Sequence, residues 1–440
     1  MPEIISIWSI KFAKQIIYFQ MKQPFFSLIT LCCFLFLLIS CNLKNDVDPQ
    51  SSSLDSLISI PDKNFEKALI NLQIDDIEDG KLSALKAQKV TYLYLDKREI
   101  SNLSGLESFT NLEVLSCIGN NISKLELSKN IRLISLRCSE NKIESLDLSY
   151  NAKLISLECN YNSLTKLNLE KNLLLKHIYC TDNLLSELDI SKNVEVTNLW
   201  CSDNKIQKLN LNIKIEELLC MENLISDLKI SNCLELKKIW CENNIINNLD
   251  INNNIKLEEL ICNNNKLKVL TLKSQSLKKF ICQSNLLEKI DVSNSPNINY
   301  LNVAFNNLSE INVTKNVNLV GLVLSSNKLI NLNLTKCLFL SSVYLEDNLF
   351  TNIDVSENKS LEILDVSENR ISSLNLDKNL NLSALYCYTN LLTKLDIRKN
   401  NKLLKLSCYE NKINEICVSN LTQPKELWDK DGFTKYSLCN

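Results

Sequence analysis

Leu154-Ile-Ser-Leu-Glu-Cys-Asn-Tyr-Asn-Ser-Leu-Thr-Lys-Leu-Asn-Leu-Glu-Lys-Asn172 is rewritten again and again along this chain of 440 residues. Counting Leu154 as position 1, apolar residues stand at 1, 4, 6, 11, 14 and 16, and asparagines at 9 and 19. The neighbouring copies start at Leu133 and Leu175, a period of 21 residues. A fixed period of that size marks a solenoid, in which each unit is too small to bury its apolar residues alone and neighbours stack into a continuous core. The template starts at Val90, Leu112, Leu133, Leu154, Leu175, Val196, Ile215, Leu236, Leu257, Leu277, Ile298, Leu319, Leu340, Leu361, Leu382 and Leu403, which makes sixteen coils. The Val196 and Leu257 coils are shortened, and the Val90 coil is one residue longer.

Positions 4 and 6 alternate inward along a short strand, leaving 3, 5 and 7 to face out. Position 9 is Asn in fifteen consecutive coils, from Asn120 through Asn141 and Asn162 to Asn411; only the first departs, with Arg98. A buried amide there can bond the turn backbone of its own coil and of the next, which a hydrophobe cannot do. An asparagine ladder is therefore expected.

The pattern resembles the leucine-rich repeat family over roughly 90–418. Leu154-x-x-Leu-x-Cys-x-x-Asn162 is echoed by Leu164-x-x-Leu-x-Leu-x-x-Asn172, as in a nested subtype of that family. Two alike half-coils predict two parallel strands per turn, with sheets on both sides and little helix. Ile100-Ser-Asn-Leu-Ser-Gly-Leu106 and Thr110-Asn-Leu112 are similar to internalin-type repeats.

The flanks read differently. Residues 1–40 form a signal region in which Met21 is the expected true start: Met21-Lys22 is a short positive beginning and Phe25 to Ile39 an apolar run. That run is shorter than the roughly 20 residues a spanning helix needs. Leu38-Ile39-Ser40-Cys41 resembles the bacterial lipobox, which implies diacylation of Cys41. Residues 41–56 are polar and aperiodic, a lipidated tether; Lys44, Asp46 and Asp48 loosely resemble the charged signal that sends some Gram-negative lipoproteins to the cell surface. The resemblance implies an outer-membrane, lipid-anchored protein at the surface of a Gram-negative bacterium. Residues 57–89 are the expected N-terminal cap, with Phe65, Leu69 and Leu72 on one face of a helix and Pro61 and Asp62 at its start. Residues 419–440 are the expected C-terminal cap, with Trp428, Phe433 and Tyr436 available to cover the last coil.

Of eighteen cysteines, eleven occupy position 6, from Cys117 to Cys408. Metal sites need ligands converging on one point, whereas these stand one per coil where Leu or Val serves elsewhere, so they read as small buried hydrophobes. Cys233 and Cys337 replace the second asparagine. Cys417 and Cys439 lie outside the row at the closing end of an exported chain and are a candidate disulfide, although Cys417 reads equally as a strand residue.

Chemistry is scarce. The one histidine is His177, and five glycines with no phosphate-loop motif offer no cofactor site. Catalysis, metal and cofactors are therefore not expected. A net charge of −2 lacks the basic stripe that nucleic acid demands. At position 5, by contrast, successive coils read Tyr179, Trp200, Leu219, Trp240, Ile261 and Ile281. At about 4.8 Å per coil, this row spans roughly 24 Å. His177, Asp203, Glu222 and Glu242 flank it, with Asp182. Aromatic anchors within a charged rim suit recognition, so the reading is a monomeric, lipid-anchored protein that binds a protein partner or adheres through the first-strand face. A glycan-binding surface and a non-binding envelope spacer are the alternatives. At the second strand's outward centre, Asp147, Asp189 and Asp291 either bond local backbone or hold calcium between coils.

Overall fold

The computed structural model describes residues 55–439. The signal region, Cys41 and the tether to residue 54 lie outside them. A short antiparallel pair, β1 (Leu57–Ser59) and β2 (Lys81–Ser83), brackets helix α1 (Lys63–Asn71), and helix α2 (Ala84–Gln88) follows. Asp62 caps α1 by accepting from the N–H groups of Asn64 and Phe65 at 2.9 and 3.0 Å. Its second oxygen accepts from the Ser101 and Asn102 N–H groups at 2.8 and 3.0 Å. One carboxylate thus closes the helix N-terminus and ties it to the first coil. Phe65 and Leu69 are fully buried, with the Phe65 ring 6.4 Å from Phe109.

Beyond this the chain is a parallel β-solenoid of sixteen coils with very little helix. Every coil adds one three-residue strand to a single ladder running from Tyr92–Tyr94 to Trp428–Asp429. The ladder is open at both ends: its first strand pairs only with Val114–Ser116 and its last only with Lys405–Ser407. Strands pair in register, so Leu136, Leu157 and Ile178 stack directly, and all six apolar positions of the Leu154 coil are buried.

The second half-coil departs from expectation. Ladders form there only between Glu187–Asp189 and Lys208–Asn210, between Val269–Thr271 and Lys289–Asp291, and among Lys394–Asp396, Glu415–Cys417 and Lys435–Ser437. One continuous sheet and three patches therefore replace two full sheets. The apolar pattern decides which residues point inward in both half-coils, but not how closely neighbouring backbones approach, and a ladder needs hydrogen-bonding distance. Two of the patches include the two shortened coils.

The asparagine ladder is present in every coil that carries it. Asn162 Nδ2 donates to Cys138 O of the preceding coil at 3.0 Å and to its own Cys159 and Asn160 carbonyls, while its Oδ1 accepts from Ile143 N at 3.0 Å. A second, deeper ladder stands at position 19. Asn172, fully buried, donates to Leu148 O and Asn151 O at 3.0 Å. Where cysteine replaces it, the thiol takes over the donation, Cys233 Sγ to Asn212 O at 3.2 Å.

Position 8 adds a feature that the sequence conceals. In all sixteen coils it is left-handed, from Lys97 (φ 55°) and Gly119 (φ 69°) to Glu410 (φ 53°), yet Gly119 is the only glycine among them. This conformation costs an L-residue roughly 1–2 kcal/mol. Cross-coil bonds offset it: Glu140 N donates to Asn160 O at 2.9 Å and Asn141 N to Tyr161 O at 3.1 Å.

At the far end Trp428 is buried and stands 6.0 Å from the Tyr436 ring, whereas Phe433 is exposed and covers nothing. Gln423 Nε2 donates to Ile397 O, and Thr434 Oγ1 to Ile413 O, so the closing segment satisfies carbonyls that a seventeenth coil would otherwise bond.

Candidate functional site

The outward row sits on the continuous sheet, where strand register brings residues about 21 apart in sequence into contact. Tyr179, Trp200, Leu219, Trp240, Ile261 and Ile281 are successive register partners. They are not equally accessible. Leu219 is only 2 % exposed and Ile261 8 %, while Tyr179, Trp200, Trp240 and Ile281 are half-buried. This corrects the expectation of six available side chains. Leu219 has an indole on either side as its register partner, and Ile261 lies between Trp240 and Ile281, so bulky cross-strand neighbours cover the smaller ones. The row is a packed ridge with three aromatic crests.

The crests are held. The Tyr179 and Trp200 rings meet edge-on at 4.7 Å. Burial, followed by the charges of Glu217 and Glu158, raises the Tyr179 pKa. Lys238 Nζ lies 4.0 Å over the Trp240 ring and Lys279 Nζ 5.9 Å from it, and both ammonium groups also pair with carboxylates, Glu217 at 3.1 Å and Glu259 at 2.8 Å. His177 stacks 6.4 Å from Tyr179 and its Nδ1 shares a hydrogen bond with Asn198 Oδ1 at 3.1 Å.

The flanking acids divide. Asp203 is exposed and Glu222 half-buried, both at left-handed position 8; Glu222 accepts from Asn243 Nδ2 at 2.8 Å. Glu242 is buried rather than part of an open rim. Burial pushes its carboxyl up to about 7, with Glu222 adding to the shift, and its Oε2 has no hydrogen-bond partner among the described residues.

Elsewhere, the second-strand acids bond their own turns: Asp147, Asp189 and Asp291 each accept from the N–H two residues on at 2.9 Å. Of the two readings of these positions, local backbone bonding is the one seen. Cys417 and Cys439 are joined as a disulfide, so neither sulfur is a thiolate that could hold a metal ion with nearby Glu415. The thirteen other described cysteines are free and buried.

No family model matches the sequence, and no curated protein is similar enough to count as a relative. Solved structures do match. The functional domain of InlJ from Listeria monocytogenes, described as including a cysteine ladder, is 29 % identical with a TM-score of 0.67, over 83 % of this chain and 78 % of that one. This chain, too, stacks its position-6 cysteines, from Cys117 through Cys138 to Cys282. The chain has the leucine-rich repeat fold. An internalin, InlF, from the same organism matches at 20 % identity and a TM-score of 0.61, over 76 % of this chain and 98 % of that one. A leucine-rich repeat protein of Leptospira interrogans matches at 20 % and 0.58, over 75 % and 92 %. At that identity the last two speak for the leucine-rich repeat fold alone.

Proposed function

We propose that this leucine-rich repeat protein is a surface-anchored lipoprotein that binds a protein partner and catalyses nothing, using the Tyr179–Trp240 ridge for adhesion. The observation that carries this reading is the ridge itself. Three aromatic residues stand half-exposed on a rigid sheet, around a buried Leu219, with the adjoining charges already paired to one another. Aromatic anchors surrounded by neutralised polar contacts are what protein interfaces concentrate their energy in.

The geometry favours a protein over a sugar. A pyranose ring needs an open aromatic face, but Lys238 already lies over the Trp240 ring and Trp200 is engaged edge-on by Tyr179. Anchoring would come from Cys41, beyond the described residues, which holds the solenoid at a membrane surface without a spanning segment.

Two measurements test the reading. Trp200→Ala with Trp240→Ala should abolish adherence of the protein to host-cell or envelope-protein extracts while a glycan array stays blank. Normal adherence by the folded double variant, or saccharide binding that depends on the indoles, refutes it. Cys41→Ala should lack acyl label, and equal incorporation of labelled fatty acid refutes the anchor.

A further inference from the structure

Beyond the ridge, the same sheet face changes character over its last four coils. Tyr344 and Tyr386 stand at its outward centre, and Tyr388 and Tyr409 project beside them, all half-buried. The Tyr388 and Tyr409 rings stack at 4.9 Å, and Tyr388 Oη donates to Glu346 at 2.8 Å. Among these tyrosines lie Glu346, Asp347, Asp365, Glu368 and Glu410.

Charge bookkeeping separates this end from the middle of the array. In earlier coils the carboxylates at positions 3 and 5 of this face are ion-paired across neighbouring strands, Glu158 with Arg137 at 2.9 Å, Glu217 with Lys238 and Glu259 with Lys279, while Glu242 at position 7 has no ion pair among the described residues. In the last coils none of the five acids has an ion pair among the described residues. Two cations at this end are otherwise engaged. Lys405 Nζ lies 4.9 Å from the Tyr386 ring, and Lys430 Nζ donates to Thr434 O at 2.7 Å. Burial raises the Asp365 carboxyl to about 6 and also raises Glu368, and in both the neighbouring acids add to the effect. The face thus holds negative charge that the protein itself does not neutralise, beside aromatic rings of which one already carries an ammonium group.

We propose that the first-strand face of coils Leu340 to Leu403 is a docking surface for an arginine- or lysine-rich segment of a protein partner. This rests on reading the sheet face as protein-binding but uses a different part of it from the tryptophan ridge. Guanidinium and ammonium groups suit both halves of the surface, pairing with carboxylates and lying over tyrosine rings. From the Glu346 coil to the Glu410 coil the array advances about 14 Å, the reach of roughly four residues of extended chain. A short basic stretch crossing the strands can therefore contact all four coils.

The test is fluorescence anisotropy on the full chain with a labelled hexa-arginine peptide, and with hexa-glutamate as control. Hexa-arginine should bind and hexa-glutamate should not. Glu346→Gln with Glu368→Gln should weaken binding at least tenfold while thermal melts show the fold intact. Glu158→Gln, whose carboxylate is already paired with Arg137, should leave it unchanged. The Trp200→Ala, Trp240→Ala variant should also bind hexa-arginine normally, so failure of the ridge reading and failure of this one remain distinguishable. Absence of hexa-arginine binding, or equal loss in Glu158→Gln, overturns the proposal. So does calorimetry with calcium chloride alone showing a saturable site that the double Gln variant removes and that displaces the peptide, since the acids would then form an ion site.

Discussion

Replacing Asn204 by Leu isolates what one rung of the asparagine ladder does. The side chain makes four contacts: Nδ2 donates to Cys180 O at 3.0 Å, Cys201 O at 3.2 Å and Ser202 O at 3.0 Å, and Oδ1 accepts from Leu185 N at 2.9 Å. They are not equally costly to lose. Cys180 O keeps a donor from Asn183 at 3.2 Å and Cys201 O one from Asn223 at 3.0 Å, because each position-6 carbonyl is shared by two rungs. The Leu185 N–H has no such reserve, whereas Ser202 O keeps the Asp182 N–H at 3.0 Å. An unpaired buried group costs about 1–3 kcal/mol, and Asp203, left-handed at φ 52°, loses the neighbour that fixes its turn. We expect Asn204→Leu to cost about 1–3 kcal/mol in urea melts followed by circular dichroism. Exposed Lys208→Ala should cost under about 0.5 kcal/mol. Because a long array need not unfold in one step, hydrogen exchange at the Leu185 amide is the sharper readout, and its protection should fall selectively. Asn204→Asp, which keeps the acceptor and loses the donors, should preserve that protection better than Leu. Equal melts for the Leu and Lys208 variants, or a Leu185 amide as protected as before, would refute the assignment.

Three further outcomes are expected. Glu242 has a folded pKa of about 7 against an ordinary 4.5, so the native state binds the extra proton and stability contributed by this group falls as pH rises from about 4.5 through 7. Glu242→Gln should therefore stabilise the protein by on the order of 1–3 kcal/mol at pH 7.5 and by little at pH 4.5; a gap independent of pH would sink the reasoning. The position-6 thiols, raised by burial to about 12 for Cys117 and Cys180 and well above the ordinary thiol range for Cys138 and Cys159, should resist iodoacetamide in the folded protein and react in urea. Cys417 and Cys439 should stay unlabelled in urea until reduced, and two extra labels without reductant would contradict their pairing. Finally, Leu219→Ala should cost about 2–5 kcal/mol as a buried truncation, against about 1–2 kcal/mol for half-exposed Trp200→Ala, and the reverse order in thermal melts would show that the ridge is packed otherwise.

How much of this was legible beforehand depends on the range of the interaction concerned. The apolar positions, the asparagine at position 9 and the strand at positions 3 to 5 repeat with the period, and a period records what every coil must satisfy. The left-handed turn at position 8 repeats just as faithfully but leaves no mark, because Glu, Tyr, Asp, Phe and Thr all occupy it. The neighbouring Asn and the cross-coil bonds hold that conformation, so no glycine is required. The deeper ladder at position 19 is visible as residues, but its burial is not, since Asn, Ser and Cys alternate there.

Accessibility was the part least open to sequence reading. Position 5 faces away from the core in every coil, yet whether its side chain meets solvent depends on residues 21 earlier and 21 later. Leu219 is lost beneath Trp200 and Trp240, while Tyr179 keeps part of its ring free. The same dependence hid the acidic end of the face. Glu346, Asp365, Glu368 and Tyr388 occupy positions 7, 5, 8 and 7 of three coils, so no single column of the repeat displays them together. The tryptophan row, by contrast, is confined to a single column. A period therefore specifies scaffolds well and surfaces poorly: core positions are filled coil by coil under one rule, whereas a binding face is composed across coils by residues that the rule leaves free.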